Sequence, residues 1–302
     1  MTRPRVLVCG DVINDILAET SAPLVEGQDN PAAITARPGG SAANQAAWMA
    51  TLGLDVIFAG RVGAQDAEFH RQELARVGVA PRLAADESVP TGSIVVLVGP
   101  DGERTMITDR GANLRLRPAD APAALLDGAA LLHLTGYSFF APAPRAVARG
   151  LIAEARRRGV PFTIDPGSSA FLAQLAPSAF LGWTKGAAVC FPNLDEAAVL
   201  TGAAVGRQAS AATMAAFLTR YYRAAVVKLG ADGALVADDG AKPSHVPAHS
   251  AADRDTTGAG DAFCAGFLAA WLTGSEMTAA ARAGTEAAAV AVSGLGGRPV
   301  RQ

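Results

Sequence analysis

The sequence predicts an α/β protein with a mostly parallel central sheet, and three observations carry that. Short continuous apolar runs, RVLVCG at 5–10, AALLHLTG at 129–136 and AAVVKLG at 224–230, suit strands buried on both faces. Alanine-rich stretches of helical length lie between such runs, the alternation of a βαβ architecture. No internal repeat or low-complexity linker divides the 302 residues.

Taken in order, the strand at 5–10 is followed at once by Asp11, Asn14 and Asp15. Ligands of open α/β sheets gather beyond the carboxyl ends of strands, so these three are candidate site residues. Residues 16–36, with Pro23 and Pro31, read as irregular. PGGSAANQAAWMATLG at 38–53 breaks at Gly39 and Gly40, offers Ser41 as a cap, and runs as a helix to Gly53. Asn44 falls in its first turn. Residues 55–60 read as a strand and 65–77 as a helix. SIVVLVGPDGERTMIT at 93–108 interrupts the alternation with a hairpin turning at Pro100, Asp101 and Gly102. Helix at 145–158, strands at 160–165 and 187–193, and helices at 194–200 and 209–222 follow. Strands at 224–230 and 233–238 and two helices, from Gly258 and from about Glu276, complete the pattern, with 299–302 as a loose tail. The segments 16–36 and 91–109 read as a small β-rich lid on an otherwise single domain.

Composition narrows the function. Half the residues are apolar, the net charge is −2, and no Lys/Arg block stands out, which argues against nucleic acid as the main partner. Cys9, Cys190 and Cys264 are scattered in apolar segments with no C-x-x-C, as expected of reduced, buried thiols. The opening apolar run is too short for a signal-peptide core, and no stretch approaches the ~18 residues of a membrane helix. A cytoplasmic protein is expected.

The stretch with most chemistry is DTTGAGDAFCAGFLAAW at 255–271. Gly258, Ala259 and Gly260 form a small-residue turn, Asp261 follows, and Phe263, Phe267 and Trp271 recur at helical spacing. At the start of a helix such a turn directs free N–H groups and the positive end of the dipole outward, a site for an anion. A carboxylate beside it is placed to take a proton from an alcohol while the hole stabilises a transferring phosphoryl group. An ordinary capped helix, with Asp261 merely complementing the dipole, is the plainer alternative. P-loop, dinucleotide, H-E-x-x-H and G-x-S-x-G patterns are absent.

Seven segments in order resemble one family: GDVIND (10–15), PGGSAAN (38–44), GRVGAQD (60–66), TGSIVVLV (91–98), PNLDE (192–196), KLGADGA (228–234) and DTTGAGDAF (255–263). Along nearly its whole length the chain resembles the ribokinase-like, or PfkB-type, carbohydrate kinases. The resemblance implies their three-layer fold, with helices on both sides of the sheet, and ATP-dependent phosphorylation of a hydroxyl on a small sugar or sugar acid. It implies Asp261 as base and the Gly258–Ala259–Gly260 backbone as anion hole. Asp15, Gly39, Gly40 and Asn44 would hold sugar hydroxyls, and Lys228, Gly230 and Gly233 would line the ATP side. Asn193 and Glu196 would orient Mg²⁺ through its waters, while Asp255 and 293–297 resemble a loop pair that holds a monovalent cation, commonly K⁺.

The chain also departs from the family. After Asp165 come Pro166, Gly167, Ser168 and Ser169, where many relatives carry a substrate-contacting Asn and Arg, and Thr285 stands where an Asn near adenine is common. A nucleoside kinase of the same superfamily and a silent sugar-binding protein are the rival readings. The lid segments hold no Phe, Tyr or Trp to clamp a base, which favours a sugar. Arg104 and Arg110 on the hairpin could reach an anionic substrate. The apolar lid run, facing both ways, predicts a homodimer through the lid. His133 and Tyr137 are placed at a strand's carboxyl end, and His245 and His249 in a surface loop.

Overall fold

The structure is a computed structural model, and it describes residues 3–101, 103–202, 210–238, 242–250, 255–294 and 296–299. Gly102 of the predicted hairpin turn, Ala209, Leu295 and residues 300–302 of the predicted tail lie outside the described residues.

β1 (Arg5–Cys9) is an inner strand of a nine-stranded sheet. On one side it pairs in parallel with β4 (Asp55–Gly63), and beyond that lies β5 (Val79–Asp86). On the other side it pairs in parallel with β8 (Leu131–Thr135), followed by β9 (Phe162–Asp165), β10 (Val189–Cys190) and β11 (Ala224–Lys228). β12 (Ala234–Asp238) and β13 (Ser244–Val246) close that edge antiparallel.

The continuous apolar runs are explained by helices on both faces. Val6 and Val8 of β1 join a core with α1 (Ser41–Thr51), α8 (Ala259–Leu272) and α9 (Met277–Val292). Leu7 and Cys9 point the other way, into a core with α3 (Pro142–Arg158), α6 (Leu194–Thr201) and α7 (Ala211–Leu218). All three cysteines are buried and unpaired, as expected.

A second sheet of four strands carries the lid: β2 (Ile13–Thr20), β3 (Ala32–Gly39), β6 (Thr91–Val98) and β7 (Arg104–Gly111), in the order β3-β2-β6-β7. The expectation that 16–36 is irregular is corrected. Ile16 to Thr20 pair with Ala36 to Ala32 in register, and only the piece between is loop. Much of β3 is exposed, so it shows little burial alternation and its pairing rests on backbone bonds. β5 and the short α4 (Ser169–Gln174) and α5 (Pro177–Thr184) also went unpredicted. His245 stands on edge strand β13, not in a loop, with a ring nitrogen 2.7 Å from the Asp232 carbonyl oxygen.

Ser41 does not cap α1. The cap position is Gly40, at φ 96°, where a Cβ would stand 2.7 Å from the Asp11 carbonyl oxygen. The cap is supplied from outside by the Asp11 carboxylate, which accepts the Ser41 and Ala42 N–H groups at 3.1 and 3.3 Å. The chain leaving β1 thereby fixes where the first turn of α1 points.

Candidate active site

The carboxyl ends of β1, β8, β9, β10 and β11 share one edge of the large sheet, and α1 and α8 open above it. In an open α/β sheet this is the ligand-binding edge. Asp261 sits in the first turn of α8, half-buried, behind Gly258 at φ 77°. A Cβ on Gly258 would lie 2.4 Å from Gly297 Cα, so the turn requires glycine by close approach as well as by conformation.

Three donors of α1 converge on the Asp261 carboxylate. Ser41 Oγ donates at 2.7 Å and Gln45 Nε2 at 3.0 Å to one oxygen, and Asn44 Nδ2 donates at 3.1 Å to the other. Burial outweighs these bonds and pushes the carboxyl up to about 7. Such a carboxyl can take a proton near neutral pH. The turn itself departs from expectation in one respect: Ala259 N–H is held by the Thr256 carbonyl at 3.3 Å, so that N–H does not face outward.

Beneath Asp261 lies a buried polar chain that sequence reasoning missed. Gln45 Nε2 also donates to Asp165 Oδ2 at 3.1 Å. Lys228 Nζ donates to the same oxygen at 2.9 Å, and Cys264 Sγ at 3.2 Å. Gln45 Oε1 meets His133 Nε2, and His133 Nδ1 lies 2.7 Å from Thr163 Oγ1. An amide oxygen only accepts, so His133 carries its proton on Nε2 and Thr163 donates to Nδ1. Burial pushes His133 down to about 4, which keeps it neutral. Its ring therefore fixes the Gln45 amide with the NH₂ toward the two carboxylates. Lys228 is raised by Asp165, against the opposing effect of burial, and it stands against the turn: a Cβ on Gly260 would lie 3.4 Å from Nζ.

Beyond the turn, a groove of about 580 Å³ is lined by Lys228, Gly230, Gly233, Gly260, Phe263 and Thr285, among others. His249 and the small residues Ala288 and Ala289 complete its wall. Gly230 is at φ 61° and Gly233 at φ 92°, and the latter has the Val246 carbonyl oxygen 2.1 Å from where a Cβ would stand. Backbone therefore forms this wall, and the groove mixes apolar and polar lining.

Asn193 and Glu196 are joined as a reciprocal cap on α6. Glu196 N–H donates to Asn193 Oδ1 at 2.8 Å, and Asn193 N–H and Nδ2 donate to the Glu196 carboxylate, each at 2.9 Å. Burial pushes Glu196 up to about 7. Asp255 accepts from Thr257 N–H and from Gly296 N–H, each at 2.9 Å, and so pins the second signature to the C-terminal loop.

On the lid side, the Asp15 carboxylate lies against Gly39, where a Cβ would be 2.0 Å from it. Asn14 and Thr91 donate to Asp66, tying the lid to the start of α2 (Ala67–Arg76). Arg110 Nη2 donates to the Tyr137 carbonyl at 3.3 Å with its guanidinium over the Tyr137 ring. Arg298 was not foreseen. Its Nη2 donates to the Gly39 carbonyl at 2.9 Å and its Nε to Asn44 Oδ1 at 3.3 Å. Trp48 Nε1 donates to the Gly297 carbonyl at 3.0 Å.

With this arrangement the chain matches the model of the pfkB family carbohydrate kinases over residues 3–301. The chain belongs to that family. It has the ribokinase-like fold. Among curated relatives, it is 30% identical to the bifunctional protein HldE of Nitrobacter winogradskyi over 96% of this chain and 60% of that one. It therefore spans less than two thirds of that relative. The ATP-dependent ribose-1-phosphate kinase of Halopiger xanaduensis is also 30% identical, over 90% of this chain and 86% of its own. Among solved structures, an adenosine kinase from Sinorhizobium meliloti superposes with TM-score 0.87 at 26% identity, over 99% and 97% of the two chains. Arabidopsis thaliana ribokinase complexed with ribose and ATP superposes with TM-score 0.80 at 27% identity, over 98% and 94%.

Proposed function

We propose that the whole chain is one kinase domain that transfers the γ-phosphoryl group of ATP to a hydroxyl of a small sugar or sugar acid. The observation that supports this is that Asp261 lies between the first turns of α1 and the groove past Gly260. On one side α1 presents Ser41, Asn44 and Gln45 to it, and on the other the groove past Gly260 leads to Lys228 and Gly233.

In this reading the acceptor hydroxyl lies against Asp261, held by Asp15, Asn44 and the Gly39–Gly40 backbone. Asp261 takes its proton as the oxygen attacks the γ-phosphorus, and ADP leaves. The N-terminal turn of α8 and the Lys228 ammonium offset charge on the transferring group, which is where electrostatic catalysis acts. The lid excludes water on closure.

Mg²⁺ fits the donor set in one way. Among the described residues no group of three acidic or sulfur and imidazole ligands could hold a metal, so most ligands would come from phosphates and water. Glu196, with lone pairs left beyond its bonds to Asn193, would orient those waters. When bound, the ion neutralises phosphate charge. The loop pinned by Asp255 is the proposed monovalent-cation site.

A lid-to-lid homodimer and a cytoplasmic location complete the proposal. Ile34 and Ile107 lie 70% and 59% exposed on the lid sheet, and the strand register puts them on the same side, an apolar face that a second lid would cover. No described helix is long and apolar enough to cross a membrane.

The nucleoside reading has one observation in its favour. Tyr137, Phe140 and Phe171 cluster at the carboxyl end of β8, with ring centroids 5.0 to 6.1 Å apart. Arg110 already covers the Tyr137 ring, which weakens it as a base clamp. ADP release against ribose, fructose, their phosphates, 2-keto-3-deoxygluconate and nucleosides, with and without K⁺, is the test. Turnover of a sugar upholds the proposal, turnover of nucleosides alone replaces its substrate, and ATP binding without turnover of any acceptor removes it.

A further inference from the structure

Buried side-chain nitrogen or oxygen atoms without a hydrogen-bond partner are confined, among the described residues, to His70 and three arginines, Arg37, Arg110 and Arg298. All three arginines border the lid. Two of them, Arg37 and Arg298, line one recess of about 220 Å³ together with Asp15, Thr257 and Gly297. In each, Nη1 is buried without an acceptor. A guanidinium presents five N–H groups in a fixed fork and is seldom left unsatisfied where water is excluded. Arg298 uses only two of its nitrogens, on Gly39 and Asn44. Arg37, half-buried on β3, makes no hydrogen bond or ion pair among the described residues.

The acids nearby do not answer these donors. Asp255 is engaged by two backbone N–H groups, and Glu73 pairs with Arg76 at 3.0 Å. The Asp15 carboxylate lies within reach of the Arg298 charge, but among the described residues no salt bridge joins it to either arginine and it accepts no hydrogen bond. The recess thus holds a carboxylate that accepts no hydrogen bond among the described residues, beside two guanidinium groups whose Nη1 atoms lack an acceptor. It is also linked to the reaction centre, since Asn44 accepts from Arg298 and donates to Asp261.

From this we infer that the acceptor is a hydroxylated anion, its phosphate or carboxylate held by Arg37 and Arg298, a neighbouring hydroxyl donating to Asp15, and the reacting hydroxyl at Asp261. The inference deepens the sugar-kinase reading and rests on it for the last of these contacts. Arg–anion pairs are charge-assisted and geometrically specific, so the anion is a determinant of selection.

The test separates binding from turnover. Calorimetric titrations with ribose 1-phosphate, ribose 5-phosphate and 2-keto-3-deoxygluconate, each beside a neutral sugar of the same length, are run with a non-hydrolysable ATP analogue, and ADP release is measured with ATP. The expected result is one anionic ligand bound about 100-fold tighter than its neutral counterpart, with Arg37→Gln cutting that ratio about tenfold or more. Preference for the phosphates or for the acid identifies the anion. Arg298→Lys, which keeps the charge and loses the fork, serves as second variant and should also lower the ratio. Equal binding of neutral and anionic sugars, no binding of any, or a ratio untouched in Arg37→Gln overturns the inference. Anion-selective binding without ATP turnover would keep the recess and overturn the kinase assignment of the acceptor. Turnover of neutral sugars with no anion preference would do the reverse.

Discussion

Replacing Asp261 by Asn separates catalysis from stability. The amide oxygen can keep the bonds from Ser41 and Gln45, both of which reach Oδ1 at 2.7 and 3.0 Å. The amide nitrogen then takes the place of Oδ2 and faces Asn44 Nδ2, donor against donor. One bond to a charged acceptor is lost, a cost of about 1.5–3 kcal/mol, and removing a carboxylate held against burial offsets part of it. The fold should survive, since domains are stable by about 5–15 kcal/mol, and the melting temperature should fall by a few degrees at most. Loss of a general base is worth about 10²–10⁴ in rate, or about 3–5 kcal/mol of barrier. The assay is ADP release at saturating ATP and acceptor, with ATP affinity and melting measured on the same preparation. We expect kcat to fall at least about 100-fold while ATP binding stays within about threefold, because no atom of the nucleotide groove changes. A variant that melts like the parent and keeps kcat within about fivefold would refute the role of Asp261.

Gln45→Leu should raise the pH at which activity is half lost on the acid side, by about one unit, since Asp261 loses a donor that favours its charged form. A kcat/KM profile from pH 5 to 9 checks this, and an unmoved acid limb would show that Gln45 does not tune the base. Lys228→Met should destabilise by about 3–5 kcal/mol in urea unfolding, because Asp165 is left buried with its charge unpaired, and a loss under about 1 kcal/mol would contradict that ion pair. Stability should also fall as pH rises from about 6.5 to 8. Asp261 and Glu196, both raised by burial to about 7, are protonated more readily folded than unfolded, so their contribution is present at low pH and lost on ionisation. His133, pushed down to about 4, acts with the opposite sign, but only below its unfolded value near 6.5. Thermal melts across that window should show a smaller slope in Asp261→Asn, and a rise in melting temperature with pH would contradict the burial of these carboxyls.

The parts that were legible in the sequence are those that repeat or punctuate. Alternating apolar runs marked seven strands of the large sheet, and Gly258 and Gly40 marked two helix starts because each needs a positive φ and close backbone approach. Asp261 and Asn44 were legible because they follow those glycines by three and four residues. What stayed hidden is long-range polar pairing. Gln45 lies next to Asn44, yet its partners Asp165, Asp261 and His133 are 120, 216 and 88 residues away. A polar side chain within an apolar strand, as with Asp165 at the end of β9 and His133, which lies in the middle of β8 rather than at its end, was the available sign, since such a group is buried only with a partner. The same reasoning reaches Arg298. A lone arginine in a Gly-rich C-terminal segment carries no pattern, and only the fold brings it against Gly39 and Asn44. The glycine turn is thus written locally, while the groups proposed to tune it and to select its acceptor are fixed by topology. Substrate choice within this family should accordingly vary through residues such as Arg37 and Arg298 without disturbing the two glycine turns.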